Sequence, residues 1–279
     1  MPALAARRCL TETWRPRVAI PAGDWRIGSD RHYPEERPAR QVTLPAFRIA
    51  ASPVTRAAFA GFVAATGRVT VAEQVGGSSV FVPSDGPIAL ADPGQWWRLV
   101  EGASWRDGPP EHPVTHVARA DAEAFAAWAG ARLPSEAEWE VAARGGLVDA
   151  DFAWGDDLLP GGQLMANFWT GSFPWWFARD GRPGTSAVGG YPANRYGLYD
   201  MIGNVWEWTS SAADGAPERG CCAPAPDADD LVVLKGGSFL CAAEYCQRYR
   251  PAARIAVAAA MTSAHIGFRL ASDGPLLDC

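Results

Sequence analysis

The sequence predicts a single α+β domain in which regular structure is sparse and ordered loops carry much of the chain. Thirteen tryptophans stand beside 29 glycines and 23 prolines, which sets large aromatic anchors under turn-rich segments. Only three segments show helical periodicity, and the strand-like runs are short and scattered.

Strand signals open the chain at Val18 to Ile20, Trp25 to Ile27 and Gln41 to Leu44. The first helix takes Thr55 as N-cap, places Phe59, Phe62, Val63 and Thr66 at i, i+3, i+4 and i+7, and stops at Gly67. Val114 to Val117 reads as a further strand. The second helix covers about 120 to 129, with Ala122, Phe125, Ala126 and Ala129 on one face and Gly130 closing it. Ser135 and Glu138 form a capping box that starts the third, which passes Trp139 and Val141 and ends at Gly145-Gly146. From Phe152 to Asp230 almost every window sets Gly, Pro, Asn or Asp beside an aromatic residue, so ordered loops and no regular layer are expected there. Val232 to Leu234 and Gly267 to Leu270 complete the strands. Nothing resembling a repeat or a linker divides the chain, so one domain is expected over 18–272, between an N-terminal extension (1–17) and a C-terminal tail (273–279).

With 279 residues, 48% of them hydrophobic and 20% charged, the chain can bury a core without staples. A net charge of −6 gives no basic field for a phosphate backbone, which excludes nonspecific nucleic-acid binding. No run approaches the roughly 18 to 20 apolar residues of a membrane helix, and the N-terminal arginines precede no apolar stretch, so neither membrane insertion nor secretion is expected. Six cysteines (Cys9, Cys221, Cys222, Cys241, Cys246 and Cys279) are too few for a disulfide scaffold. A reducing cytoplasm and a monomer are the expectation.

The densest chemistry lies in Lys235-Gly236-Gly237-Ser238-Phe239-Leu240-Cys241-Ala242-Ala243-Glu244-Tyr245-Cys246-Gln247-Arg248-Tyr249-Arg250. Two cysteines five apart on a non-helical segment can bring both sulfurs to one point, and Arg248, Arg250 and Arg254 favour thiolate over thiol. A structural disulfide, a zinc half-site and a redox or soft-metal pair all fit that spacing. Zinc lacks a second ligand pair, because His32, His112, His116 and His265 are scattered, whereas two thiolates alone suit Cu(I). His112 and His116 flank Pro113 in an extended segment and read as ordinary core or surface histidines. In Tyr199-Asp200-Met201-Ile202-Gly203-Asn204-Val205-Trp206-Glu207-Trp208, carboxylates bracket a glycine turn whose carbonyls could join them around calcium. Equally, Asp200 and Asn204 could cap a turn over the core anchors Trp206 and Trp208. Asn167 with Asp180 is a weaker case of the same kind. The vicinal pair Cys221-Cys222 reads as free or bound elsewhere.

These residues resemble the formylglycine-generating enzymes, the sulfatase-modifying factor family, from Ile20-Pro21-Ala22-Gly23 to Phe268-Arg269. The landmarks are Tyr33-Pro34-Glu35-Glu36, the run from Trp128 to Glu140, Ala166-Asn167-Phe168-Trp169, Tyr196-Gly197-Leu198-Tyr199-Asp200, Gly203-Asn204-Val205-Trp206-Glu207-Trp208, Lys235-Gly236-Gly237-Ser238 and Gly267-Phe268-Arg269. Cys241 and Cys246, followed by Arg248-Tyr249-Arg250, look like the catalytic segment of the active members. The resemblance implies an irregular, C-type-lectin-related α+β fold and the O2-dependent conversion of a sulfatase Cys-x-Pro-x-Arg cysteine to Cα-formylglycine. It implies Cu(I) on Cys241 and Cys246, with Ser238 and Tyr245 lining the oxygen and substrate pocket and Trp206 as its wall. It further implies structural calcium on Asn167, Asp180 and the carbonyls of Phe168 and Arg182, and on Asp200, Glu207 and the carbonyls of Gly203 and Val205. The partner implied is a nascent sulfatase peptide. The chain departs from the family pattern at Ala242-Ala243, at Glu244 and along Ile255 to Ser263, where a polar groove-lining run is replaced by an apolar one. Those departures point to altered peptide specificity, another substrate or a reorganised loop. A related oxygenase and a noncatalytic lectin-like module are the competing readings.

Overall fold

The computed structural model describes Trp14 and residues 17–179, 181–213 and 230–273. Among them are four helices, α1 (Arg56–Thr66), α2 (Val71–Val75), α3 (Arg119–Trp128) and α4 (Glu136–Arg144). The strands are β1 (Arg17–Ile20), β2 (Gly23–Ile27), β3 (Arg40–Leu44), β4 (Phe47–Ala50), β5 (Gly77–Phe81), β6 (Trp97–Glu101), β7 (Trp206–Ala212), β8 (Leu231–Lys235), β9 (Arg254–Ala258), β10 (Ile266–Gly267) and β11 (Ala271–Asp273).

Among the described helices α1, α2 and α4 start at side-chain caps, while α3 starts at Ala118 without one. Thr55 accepts from the Ala58 amide at the head of α1, and Gly67 closes it in the left-handed region at φ 68°. Ser135 and Glu138 close the expected box on α4. The same signature at Thr70 and Glu73 starts the short α2, which the apolar periodicity of five residues is too brief to reveal.

Two sheets organise the chain. One has the order β1-β4-β11, joining both ends of the described chain; the other is β10-β7-β8-β9, antiparallel except for the parallel pair β10 and β7. Two hairpins, β2-β3 and β5-β6, flank them. The ordered structure reaches beyond the expected bounds, since Arg17 and Asp273 both pair with β4 and Trp14 packs edge-on against Phe125. The main core gathers Phe59, Phe62, Phe125, Trp206, Trp208 and Phe268, and it includes Cys241 and Cys246. Truncating one such buried aromatic costs about 3–5 kcal/mol, so rings in this number fix the loops that lie on them.

Three expectations fail here. Val114 to Val117 is not a strand: Pro113 precedes it, His116 takes φ 60°, and the segment bonds singly, Val114 N–H to Val54 O and His116 N–H to Ser263 O. Gly267 to Leu270 pairs only at Gly267, after which Phe268 and Leu270 carbonyls accept one bond each from Val54 and Ala50. The region from Phe152 to Asp230 does hold a regular element, because β7 is one of the two inner strands of the four-stranded sheet; its aromatics Trp206 and Trp208 are fully buried on one face and Glu207 and Thr209 on the other.

Candidate active site

β8 ends at Lys235, and the turn that follows sets the thiols. Gly236 and Gly237 take φ 99° and 74°, and a Cβ on Gly237 would lie 2.6 Å from the Arg248 carbonyl oxygen. The chain then tightens: Cys241 N–H donates to Ser238 O at 3.0 Å, and Cys246 N–H to Ala242 O at 2.9 Å. That single turn brings the sulfurs of Cys241 and Cys246 to 3.5 Å, far longer than the roughly 2 Å of a disulfide, and both are buried and not bridged. Of the three uses left open by the spacing, the unbridged pair disfavours the structural disulfide.

The thiols sit between a cation and a cavity. Arg248 places Nη1 3.8 Å from the Cys246 sulfur, and its Nε donates to Glu35 at 2.7 Å while the guanidinium lies 3.9 Å from the centre of the Tyr33 ring. Arg250 donates to Glu36 at 2.7 Å, and the Tyr33 hydroxyl accepts from the Gln247 amide. Tyr33-Pro34-Glu35-Glu36 thus straps the thiol segment from some 213 residues away in sequence. On the other side, Ser238, Leu240, Cys241, Tyr245, His265, Trp96 and Phe173 line a narrow cavity with room for about one water-sized molecule. Tyr245 stacks on Phe173 at 4.9 Å and meets Trp96 edge-on; Glu244, the departure from the family pattern, accepts from the Phe173 amide. The Ser238 hydroxyl bonds His265 Nδ1 at 3.2 Å and accepts from Leu240 N–H. Burial pushes His265 down to about 3, so the ring is neutral.

Ser238, Tyr245, Cys241 and Cys246 therefore come together. Trp206 does not line the cavity; it is buried in the main core, its amide donating to the His265 carbonyl. His265, Phe173, Trp96, Tyr33 and Glu35 join the site from distant segments, and nothing in their local spacing announces this.

Against known proteins, the sulfatase-modifying factor enzyme 1-like domain model matches residues 3–274. The chain belongs to that family. It is 49% identical to a formylglycine-generating enzyme of Mycobacterium tuberculosis, covering 92% of this chain and 97% of the relative. A formylglycine-generating enzyme of Thermomonospora curvata is 43% identical, with 96% of both chains covered. Among solved structures, PvdO from Pseudomonas aeruginosa superposes with a TM-score of 0.66 at 28% identity, over 92% of this chain and 94% of that one. The fold of this sulfatase-modifying factor enzyme domain is accordingly the loop-rich α+β type expected.

Both oxygen sets accept hydrogen bonds from within the protein. Asp200, at φ 54°, is buried; one carboxylate oxygen accepts from Gly189 N–H and the other from Asn204 at 3.4 Å. Burial raises its carboxyl to about 6, and the nearby Glu207 charge adds to the rise. Glu207 accepts from Arg269 Nε and Nη2 and from the Trp139 indole, all at 2.7 Å. Both Glu207 oxygens are thus taken by N–H donors, while the Asp200 carboxyl, with Gly203 and Val205 on the same turn, is of the hard-oxygen type that calcium draws on. At the other set, Arg179 Nη2 donates to Asn167 Oδ1 at 2.7 Å and to the Phe168 carbonyl at 3.0 Å. Arg182 is exposed, and Asp180 lies outside the described residues, as do Cys9, Cys221, Cys222 and Cys279. His112 and His116 bond Thr185 and Ser78 hydroxyls, as ordinary structural histidines do. No described helix is long and apolar enough to cross a membrane.

Proposed function

We propose that the protein is a formylglycine-generating oxidase acting on the cysteine of a sulfatase Cys-x-Pro-x-Arg segment. The observation that carries this reading is the unbridged, buried thiol pair, 3.5 Å apart, with Cys241 on the wall of a one-molecule cavity. Two soft sulfurs, with no cluster of three His, Cys, Asp or Glu among the described residues, suit Cu(I), which accepts low coordination number. When bound, copper would supply the activation of O2 beside the substrate thiol. The peptide CH2–SH, O2, two electrons and two protons from a thiol reductant give the aldehyde, hydrogen sulfide and water.

The chain's own residues position and dry the site. Cys241 and Cys246 hold the metal, and Arg248, braced by Glu35 and Tyr33, fixes the Cys246 sulfur and offsets thiolate charge. The Ser238 hydroxyl, oriented by neutral His265, offers a proton donor at the cavity edge. Tyr245, Phe173 and Trp96 exclude water, and the convergence of these groups sets the substrate cysteine where proximity lowers the barrier. Structural calcium would be held by Asp200 and Glu207 with the carbonyls of Gly203 and Val205, clamping the loop before β7. The unbridged pair supports a reducing cytoplasm and a nascent sulfatase chain as the setting of the reaction.

Incubating a Cys-x-Pro-x-Arg peptide with copper-loaded protein, O2 and a thiol reductant tests this. Mass spectrometry should show the thiol exchanged for a carbonyl oxygen; an unchanged peptide beside tight Cu(I) binding would overturn the substrate, and no Cu(I) binding would overturn the reading.

A further inference from the structure

We propose that Glu244 is a positioning residue for the cavity: its carboxylate fastens the loop 170–178 to the thiol turn and so holds the Phe173 ring as the wall that keeps water from the reacting atoms. The effect on turnover rests on the oxidase reading; the fastening itself does not.

The loop is first closed on itself. Trp175 and Trp176 N–H donate to the Ser172 carbonyl, and Ala178 N–H donates to the Thr170 carbonyl, so the chain returns beside its own start. Gly171 permits that return, because at its φ of 103° a Cβ would lie 2.5 Å from the Trp176 carbonyl oxygen. Two hydrogen bonds then lace this stretch along the thiol turn. Just before the loop, Trp169 N–H donates to the Cys241 carbonyl at 2.9 Å. From within it, Phe173 N–H donates to Glu244 Oε1, the one hydrogen bond among the described residues that leaves 170–178 for the rest of the protein.

The second bond sets the wall. Phe173 stacks on Tyr245 at 4.9 Å with the rings 3° from parallel, and Trp96 meets each of them edge-on at 5.3 Å. These three rings close one side of the cavity whose other lining residues include Ser238, Cys241 and His265. Aromatic pairs accept a range of offsets and separations, whereas an N–H bond to a carboxylate is directional and charge-assisted. The bond therefore fixes where along the turn the Phe173 ring sits. Glu244 is exposed and Phe173 is buried, so the carboxylate acts on the wall through the backbone and adds nothing to the core. A cavity with room for about one water-sized molecule admits more solvent once this wall withdraws, and the reacting thiol then loses its dry surroundings.

The test compares full-length wild type, Glu244→Ala and Glu244→Gln by hydrogen exchange with mass spectrometry, by Cu(I) affinity and by turnover of a Cys-x-Pro-x-Arg peptide. Glu244→Ala should exchange the amides of 170–178 about tenfold faster than wild type and lower kcat about tenfold, the order expected for one lost charge-assisted bond. Its KM, Cu(I) affinity and melting temperature should stay close to those of wild type. Glu244→Gln, whose amide oxygen can accept the same bond, should recover most of the protection and of the turnover. Equal exchange in wild type and Glu244→Ala, full turnover by a fast-exchanging Glu244→Ala, or a Glu244→Gln as impaired as Glu244→Ala would each overturn the proposal. A wild type that turns over no peptide would sink the oxidase reading, and the exchange data alone would then decide whether Glu244 fastens the loop. Glu244→Lys, which keeps a long exposed side chain and offers no acceptor, replaces Glu244→Ala with the same outcomes should the latter fail to fold.

Discussion

Cys241 and Cys246 are useful only as a pair, because either sulfur alone leaves a soft ion a single ligand. Cys246→Ser keeps the volume and loses the soft donor, so it should abolish Cu(I) binding and peptide turnover while the melting temperature stays within a few degrees; retained turnover would remove copper from the mechanism. A second residue-scale effect comes from His116, buried against Ser78 and held well below its ordinary value, at about 4. Burial is the main cause, so the unfolded chain takes up a proton that the folded chain refuses. The folded state therefore keeps this contribution above about pH 6.5 and loses it as pH falls toward 4, about 3 kcal/mol in all. His116→Gln should flatten the fall of melting temperature across that window, and an unchanged slope would assign acid lability to other groups. At this scale the sequence exposed what is close along the chain. Ser238, Tyr245 and the two thiols fall within nine residues, whereas His265, Phe173 and Glu35 reach the site only through tertiary contacts that no local pattern encodes.

Helices were legible in proportion to their length and apolar face, since the fully capped but five-residue α2 was missed and α3, with Ala118 at its N-cap, was not. α1, α3 and α4 have eight or more residues with clear apolar faces, and their ends agree with the sequence to within a residue. The β5-β6 hairpin and β9 escaped notice, since β6 exposes four of its five residues and β9 reads as an alanine-rich run. β9 lies against β8 in full register, with Ile255 and Val257 buried, so its apolar character is explained at least partly by sheet packing. The turn between β8 and the thiols is the element on which chemistry depends most. Gly237→Ala would set a methyl against the Arg248 carbonyl at a φ that side chains avoid. It should separate the thiols and cut turnover at least tenfold, while Gly67→Ala, with open space around its Cβ, should leave turnover unchanged. Equal losses in both would mean that general destabilisation, not thiol geometry, is responsible. Ser135→Ala should cost about 1 kcal/mol in denaturant unfolding through loss of the α4 cap.

Across the whole molecule, buried charge ties the sheets and α4 together. Lys235, the sole lysine, reaches Glu140 at 2.9 Å, and Glu140 also accepts from Arg144; both cations lower the Glu140 carboxyl against the opposing effect of burial, which is the largest cause. Arg269 in turn grips Glu207 through two bonds and reaches the carbonyls of Ala50, Tyr199 and Asp200. One guanidinium thus joins β4, the Tyr199–Asp200 turn and β7, three parts of the chain that share no ladder. Intact buried pairs add little net stability, because desolvation offsets their attraction, but removing one member leaves an uncompensated charge. Arg269→Met should therefore cost about 3–5 kcal/mol and lower the melting temperature by roughly 6–20 °C. Adding Glu207→Gln should recover part of that loss, since the stranded carboxylate goes with it. A double variant no more stable than Arg269→Met would show that the carbonyl contacts of Arg269, and not its ion pair, hold the three segments in place.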